Sequence, residues 1–389
     1  MSSLAPTPRR TILGLAIAGA ATAALVVPAT GVAGVAAVQD DVLATAPLAD
    51  IPARVEAVKQ TKAKVTRVDI LWHMVAPTQP ARPFDPADPA YDWSRLDAIF
   101  TGLAAAKITP IVSTYSTPLW AVLGRNTKHS TEYNPNAPRP AAYGQFLRAV
   151  ATRYSGSYTP AGATAPLPRV RHFEVWNEPN LKGFFTHNGK ANVNTYKKLV
   201  RSAYTNIKKA NKRSIVIAGV GGPRSSNGGG NVGAKPWMNK LVNDKRLKFD
   251  AYSQHIYPSQ GPRFRSKSYD RAFPTWNSLE EIYETLDKKR KGMKLYVTEA
   301  GYTTGKTPFR TTKVVKPALQ RTYLKQIFGL KAVKSPRLAA VVWFNLQDNE
   351  NWPAGLVRAN GTNKPSYAAF RAIARRPIPR ALRAELSTR

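Results

Sequence analysis

Two of the ten glutamates in this 389-residue chain follow apolar segments that have the pattern of buried strands. Glu178 ends the run His172-Phe-Glu-Val-Trp-Asn-Glu178, and Glu299 ends the run Leu295-Tyr-Val-Thr-Glu299. Singly, either acid could cap a helix or form a buried ion pair. Together, at strand ends of a barrel, they would face each other across one cleft. One carboxyl would then protonate a leaving oxygen while the other attacks the anomeric carbon of a sugar. In the retaining geometry the two carboxyls lie about 5–5.5 Å apart. The pair therefore indicates glycoside hydrolysis.

Polar side chains near these acids fit the same chemistry. Asn177 offers an amide to a sugar 2-hydroxyl, although Asn is also common in turns. Arg67 can keep a carboxylate ionised through charge and hydrogen bonds, or it can form a structural ion pair inside a barrel. His255 and Tyr257 alternate with Ile256 and so share one face of a strand. A satisfied core histidine is the alternative interpretation of His255.

Two tryptophans are candidates for contact with a sugar ring. Trp343 offers an apolar face to the C–H groups of a pyranose, and Trp72 is a weaker candidate of the same kind. Packing in the hydrophobic core is the competing interpretation. The predicted substrate-binding residues are accordingly Arg67, Trp72, Asn177, His255, Tyr257 and Trp343.

Short β-branched segments alternate with amphipathic helical segments along the chain. Most of the strand candidates are nearly continuous apolar runs, as expected for parallel strands covered on both faces. The predicted strands are 32–38, 64–71, 109–115, 170–176, 214–219, 249–256, 294–299 and 339–345. The predicted helices are 51–62, 93–107, 141–153, 194–211, 235–243, 278–289, 316–329 and 366–375. Eight such pairs predict a single-domain α/β fold, the (β/α)8 TIM barrel, since the glycine-rich turn of a doubly wound sheet is missing after the first strand.

Five motifs, in order along the chain, resemble those of glycoside hydrolase clan A, the retaining (β/α)8 glycosidases. They are Arg67-Val-Asp-Ile-Leu-Trp72, Trp176-Asn177-Glu178-Pro179, Ser253-Gln-His255-Ile-Tyr257-Pro258, Thr298-Glu299-Ala300-Gly301 and Val342-Trp343. The chain looks most similar to exported actinobacterial glycosidases of the family 39 and family 5 type. The resemblance implies that Glu178 is the general acid/base, that Glu299 is the nucleophile and that Tyr257 hydrogen-bonds the nucleophile. It also implies that Trp343 floors the sugar subsite and that neither a metal nor an organic cofactor is required.

Both ends of the chain are predicted to lie outside the catalytic domain. Arg9 and Arg10 precede an apolar stretch rich in Ala and Gly, and no acid occurs before Asp40. This layout is typical of a bacterial export signal, of the twin-arginine or the general secretory type, with a membrane anchor as the alternative. We predict a signal peptide over 1–29, a glycosidase domain over 30–376 and a basic Pro/Arg-rich tail over 377–389. The protein is then secreted and has no stable membrane span after cleavage.

The chain carries 58 Lys and Arg against 23 Asp and Glu, a formal charge of +35, and it contains no cysteine. The lack of cysteine excludes disulfides, thiolate metal sites and cysteine nucleophiles. The charge predicts attraction to polyanions without selecting one, and Arg263, Arg265, Lys267 and Arg271 cluster in one loop. The expected partner is a carbohydrate, with an anionic polysaccharide or the cell wall as a candidate, and no specific nucleic acid. A basic exported binding protein on a barrel scaffold and a transglycosylase are the alternatives to a hydrolase.

Overall fold

The computed structural model describes Met1 and residues 34–124, 134–224, 226–264, 274–308 and 313–386. In this part of the chain, eight parallel strands form a closed barrel in sequential order. They are β1 (Val35–Gln39), β2 (Val65–Leu71), β3 (Thr109–Tyr115), β4 (His172–Val175), β5 (Ile215–Gly221), β6 (Ala251–Gln254), β7 (Lys294–Ala300) and β8 (Leu338–Phe344). The barrel closes through parallel pairing of β8 with β1. The predicted (β/α)8 barrel is therefore confirmed.

Helices connect the strands, and each predicted helix is present with ends within two residues of its expected bounds. The described helices are α1 (Ile51–Gln60), α2 (Trp72–Val75), α3 (Ser94–Ala105), α4 (Pro140–Arg153), α5 (Val193–Ala210), α6 (Ala234–Val242), α7 (Ser278–Lys289), α8 (Pro317–Ile327), α9 (Pro365–Ala374) and α10 (Arg380–Leu386). Short 3-10 helices span Asp41–Ala44, Leu48–Asp50 and Leu119–Ala121. Side-chain capping begins α5, because the side chain of Asn192 accepts hydrogen bonds from the amides of Asn194 and Thr195.

The strands are covered on both faces, and alternate side chains along each one point in opposite directions. Along β8, Val341 and Trp343 belong to the large core between the strands and the helices. Ala340 and Val342 belong to a separate cluster to which most of the strands contribute, which places it in the barrel interior. This alternation decides which residues at the end of each strand can reach the site.

The amino-terminal end of the barrel is covered by α10. Leu382 and Leu386 are 1% and 0% exposed and join the cluster inside the barrel. The hydroxyl of Thr109 donates to the carbonyl of Leu386 over 2.8 Å, and Tyr296 donates to Glu385. Residues 380–386 of the predicted basic tail are thus part of the fold. Two leucines in a seven-residue helix are too few to give a visible period, so the sequence pattern did not indicate it.

Parts of four predicted segments lie outside the described residues. These are the export signal over 1–29, apart from Met1, residues 32–33 of the first predicted strand, the loop residues Arg265, Lys267 and Arg271, and residues 387–389 of the tail. Arg263 is described and is exposed. None of the described helices combines the length and the apolar character needed to cross a bilayer.

Candidate active site

A cavity of about 730 Å³ lies at the carboxyl ends of the strands. Residues in or shortly after each of the eight strands contribute to its walls. Glu178 and Glu299 both line it, as do Asn177 and Tyr257. The cavity therefore contains four of the residues that the sequence predicts for the active site.

His255 lies between Glu178 and Glu299 and contacts both carboxylates through one ring nitrogen. Both glutamates are buried, at 6% and 8% exposure. The Nδ1 atom of His255 lies 2.8 Å from Oε1 of Glu178 and 3.4 Å from Oε2 of Glu299. One carboxylate oxygen of each glutamate and a ring nitrogen of His255 all lie within 4.8 Å of one another. This proximity suits direct attack by one carboxyl, whereas a mechanism that places a water between the two needs about 6.5–9.5 Å.

The turn after β4 holds Glu178 in an unusual backbone conformation. Trp176 and Glu178 have φ values of 72° and 42°, in the left-handed region that residues with a Cβ rarely adopt. Such conformations cost about 1–3 kcal/mol each and persist only where the surroundings enforce them. Here the amide of Trp176 donates to the hydroxyl of Tyr143 over 3.1 Å, and its indole donates to the carbonyl of Phe184 over 2.7 Å. These two hydrogen bonds hold the turn from which the Glu178 side chain reaches the cavity.

Arg67 is the centre of the polar network under the site. Its guanidinium is fully buried and donates to Glu299 over 2.9 Å and to Glu174 over 2.7 Å. It also donates to the side-chain oxygens of Asn177 and Gln39, each over 2.7 Å. Because the amide oxygen of Asn177 is occupied in this way, its NH2 group is the part that remains for a ligand. One cation thus fixes the orientation of two carboxylates and two side-chain amides.

Tyr257 completes the contacts of Glu299. Its hydroxyl donates to Oε2 of Glu299 over 2.9 Å. The ring of Trp352 packs edge-on against the Tyr257 ring, with centroids 4.9 Å apart. Glu299 therefore accepts one hydrogen bond on each oxygen, from a cation and from a phenol, and both bonds favour its ionised form.

Burial raises the pKa of both glutamates. The pKa of Glu178 rises to about 8, opposed by the positive charge of Arg67, and that of Glu299 rises to about 7, opposed by His255 and then by Arg67. The mutual repulsion of the two carboxylates adds to the pKa of Glu299. The pKa of Glu178 is thus raised further than that of Glu299, and burial is the largest cause in both. The two chemically identical side chains thus have different partners, Arg67 and Tyr257 for Glu299 and His255 for Glu178.

The structure places two of the predicted substrate contacts, Trp72 and Trp343, in the hydrophobic core and not in the cavity lining. The ring of Trp72 is 0% exposed and stacks on Phe146 at 5.1 Å, within the core that faces the helices. Trp343 is 1% exposed, and its indole donates to the carbonyl of Ala354 over 2.9 Å. The next residue, Phe344, lines the cavity instead. Since neighbouring residues on a strand face opposite sides, a shift of one position exchanges core for site.

The structure also brings in residues that the sequence interpretation omitted. Asp69 lines the cavity and accepts hydrogen bonds from Gln39 over 2.9 Å and from Tyr115 over 3.1 Å. Its other carboxylate oxygen lies 3.3 Å from the Arg67 guanidinium. The sequence could have indicated Asp69, because this residue is two positions after Arg67 on β2 and must lie on the same face of the strand. Trp352 lies in the loop after β8, where no periodicity could reveal its direction.

Glu178, His255 and Glu299 are also residue types that bind divalent metals. Two observations weigh against such a site. Both oxygens of Glu299 already accept hydrogen bonds. The buried guanidinium of Arg67 would also repel a metal ion bound there. The group fits proton transfer better than metal ligation.

The chain is similar to known proteins in sequence and in fold. A model of the family described as Glycosyl hydrolases family 39 matches residues 72–381. A β-xylosidase from Caldicellulosiruptor saccharolyticus is 27% identical over 209 residues, 52% of this chain and 36% of that protein. The chain thus matches only about a third of the length of this relative.

Solved structures share the fold at low sequence identity. A monomeric β-xylosidase from Caulobacter crescentus superposes with a TM-score of 0.58 at 19% identity, covering 87% of this chain and 67% of that one. A family 39 glycoside hydrolase from Bacteroides cellulosilyticus gives a TM-score of 0.57 at 18% identity, covering 87% and 63%. A glucosidase from Croceicoccus marinus gives 0.60 at 14% identity, covering 82% and 62%.

Proposed function

The chain belongs to glycosyl hydrolases family 39, and on this basis we propose that it hydrolyses β-glycosidic bonds with retention of configuration. Glu299 is the nucleophile and Glu178 is the general acid/base. The observation that carries these roles is the difference in their partners. Glu299 accepts from Arg67 and Tyr257, which favours a carboxylate. The described hydrogen-bond partner of Glu178 is His255, whose own pKa is lowered by burial, so within the described residues no cation donates a hydrogen bond to Glu178.

The reaction then proceeds in two displacements. In the first, a carboxylate oxygen of Glu299 forms a bond to the anomeric carbon while Glu178 gives its proton to the departing glycosidic oxygen. In the second, Glu178 takes a proton from water, the water oxygen bonds to the anomeric carbon, and the bond to Glu299 breaks. The NH2 group of Asn177 is suited to donate to the sugar 2-hydroxyl, a contact that strengthens in the transition state. Arg67 and Tyr257 stabilise the charge that returns to Glu299.

For the substrate, we propose a β-xyloside or β-glucoside unit of an oligo- or polysaccharide outside the cell. The names of the similar β-xylosidases and of the similar glucosidase support these sugars. Secretion is supported by the arrangement of Arg9, Arg10 and the apolar stretch that follows. The charge of +35 supports a substrate that is an anionic polysaccharide or part of the cell wall.

The test uses 4-nitrophenyl β-xylopyranoside and β-glucopyranoside with the wild type and two variants. Glu299→Ala should lose at least about 10⁴-fold in kcat with every substrate, because no covalent intermediate can form. Glu178→Ala should keep the first step with this activated leaving group and stall at the second. Azide should then restore turnover and yield a β-glycosyl azide, since only proton transfer is missing. Product configuration by NMR checks both roles.

Glu284→Ala is the matched control, because Glu284 is an exposed glutamate on α7. It should leave kcat unchanged. Azide rescue of Glu299→Ala with a β-configured product would reverse the two assignments. Transfer of the sugar to a second sugar in place of water would identify a transglycosylase. If the wild type cleaves neither glycoside nor any xylan, glucan, mannan or uronate-containing polymer, the proposed function fails.

A further inference from the structure

Apart from Glu178 and Glu299, the charged residues that line the cavity are segregated by sign. Asp41 follows β1, Asp69 lies on β2 and Glu350 follows β8, and these strands are neighbours in the barrel. Arg224 follows β5, on the opposite side of the closed barrel. Among the lining residues in the described part of the chain, Arg224 is the one that carries a positive charge. A ligand in this cavity therefore meets carboxylates on one side and a guanidinium on the other.

Arg224 is held in position without being neutralised. Its Nε donates to the carbonyl of Ser226 over 2.9 Å, and its Nη2 donates to the carbonyl of Gly228 over 3.2 Å. Within the described residues, these carbonyls are the acceptors of its guanidinium and no carboxylate forms an ion pair with it. Nη1 therefore remains as a donor, on a side chain that the loop has already ordered.

Arg224 lies on the side of the acid/base residue. A Cβ added at Gly222 would come within 3.0 Å of the Glu178 carboxyl carbon, so the backbone that leads to Arg224 packs against this side chain. Glu178 must contact the glycosidic oxygen, beyond which the leaving group extends. Asp69, in contrast, contacts Arg67, which in turn holds Glu299 under the glycosyl unit. The guanidinium thus faces the leaving group and the carboxylates face the glycosyl unit.

We propose that Arg224 forms a leaving-group subsite that selects substrates with an uncharged glycosyl unit linked to an anionic unit. The anion is a uronate carboxylate, or a sulfate or phosphate group, on the leaving sugar. A guanidinium binds such groups by charge-assisted hydrogen bonds. Asp41 and Glu350 disfavour an anion on the glycosyl unit itself, so the selection includes a repulsive contribution as well as an attractive one. This inference rests on the proposed function and names its substrate class.

The experiment compares 3-carboxyphenyl and 3-carbamoylphenyl glycosides, which share their shape and differ by one charge. The glycosyl unit is the one, xylose or glucose, that the wild type cleaves faster as the 4-nitrophenyl glycoside. Arg224→Gln should lower kcat/KM for the carboxyphenyl glycoside about tenfold, the loss expected for a hydrogen bond to a charged group, and change the carbamoylphenyl glycoside less than about twofold. Arg224→Lys should retain part of the preference. The 3-sulfophenyl and 3-phosphonophenyl glycosides separate the sources of the anion.

Lys182→Gln is the matched control, because Lys182 is an exposed cation near the same loop and lies outside the cavity lining. It should alter neither substrate, which separates a local contact from a general effect of surface charge. Equal changes for both glycosides in Arg224→Gln, or no change in either, would overturn the subsite while the glycosidase assignment stands. Failure of the wild type to cleave the uncharged glycosides would instead remove the proposed function and the subsite with it.

Discussion

The two ends of the barrel bury side chains for opposite purposes. At the carboxyl end, the guanidinium of Arg67 lies among carboxylates and amides beneath an open cavity. At the amino end, Leu382 and Leu386 of α10 pack into the barrel beside apolar residues of the strands. The same strands thus support charged groups next to a cavity at one end and apolar packing at the other. Changes at the two ends should therefore affect activity and stability separately.

A buried histidine at each end shows the difference in detail. His172 on β4 is 0% exposed, and neither of its ring nitrogens has a hydrogen-bond partner in the described part of the chain. Burial lowers its pKa to about 3, so it is a neutral packing group. His255 is equally buried, but its Nδ1 contacts both Glu178 and Glu299. Histidine therefore packs as an uncharged group at the amino end and contacts two carboxyls at the carboxyl end, because its neighbours differ at the two ends.

The largest effect should come from the end of β8, where core and cavity are separated by one residue. Trp343→Ala should lower the free energy of unfolding by about 3–5 kcal/mol, because it leaves a hole in the core, and should leave KM nearly unchanged. Phe344→Ala should raise KM about threefold or more at a smaller cost in stability, because it removes an apolar wall of the cavity. Denaturant unfolding and steady-state kinetics check both. A raised KM in Trp343→Ala with unchanged stability would instead show that Trp343 contacts the substrate.

At the amino end, Leu386→Ala should lower the free energy of unfolding by about 2–5 kcal/mol. The kcat and KM of the folded enzyme should stay at their wild-type values, because α10 covers the end of the barrel away from the cavity. Leu319→Ala is the control, since Leu319 on α8 is 39% exposed and should change stability by less than about 0.5 kcal/mol. Loss of activity in Leu386→Ala before any loss of folded protein would contradict the separation of the two ends.

The smallest effect is a pH-dependent gain of stability in Glu178→Gln. Since the folded-state pKa of Glu178 is raised to about 8, its contribution to stability is fully present below its ordinary pKa and is lost as pH rises through about 8. Gln has no such loss. The variant should therefore match the wild type near pH 4 and melt about 1–4 °C higher near pH 9. Calorimetry across this range measures the difference, and a wild type that stays more stable at pH 9 would show that the site does not strain Glu178.

The sequence anticipated the elements because their signals are local. Apolar runs and amphipathic periods extend over whole strands and helices, so each predicted helix matched within two residues. The meeting of Glu178 and Glu299 followed from the same information, since parallel strand ends converge in a barrel. Asp69 was available by the same argument and was overlooked, because it shares a strand face with Arg67.

The sequence by itself determined the barrel, the alternation of its elements and the strand ends that carry the acids. Only the tertiary structure decided that Phe344 and not Trp343 faces the cavity, that α10 enters the core, and that Arg224 lies opposite the acidic residues. The physical reason is the range of the signals. Periodicity is set by neighbours along the chain, whereas the direction of a side chain at a strand end, or of a short helix, depends on contacts with residues far away in sequence. The hydrophobicity of a residue predicts that its side chain is buried, but it does not predict which residues that side chain packs against.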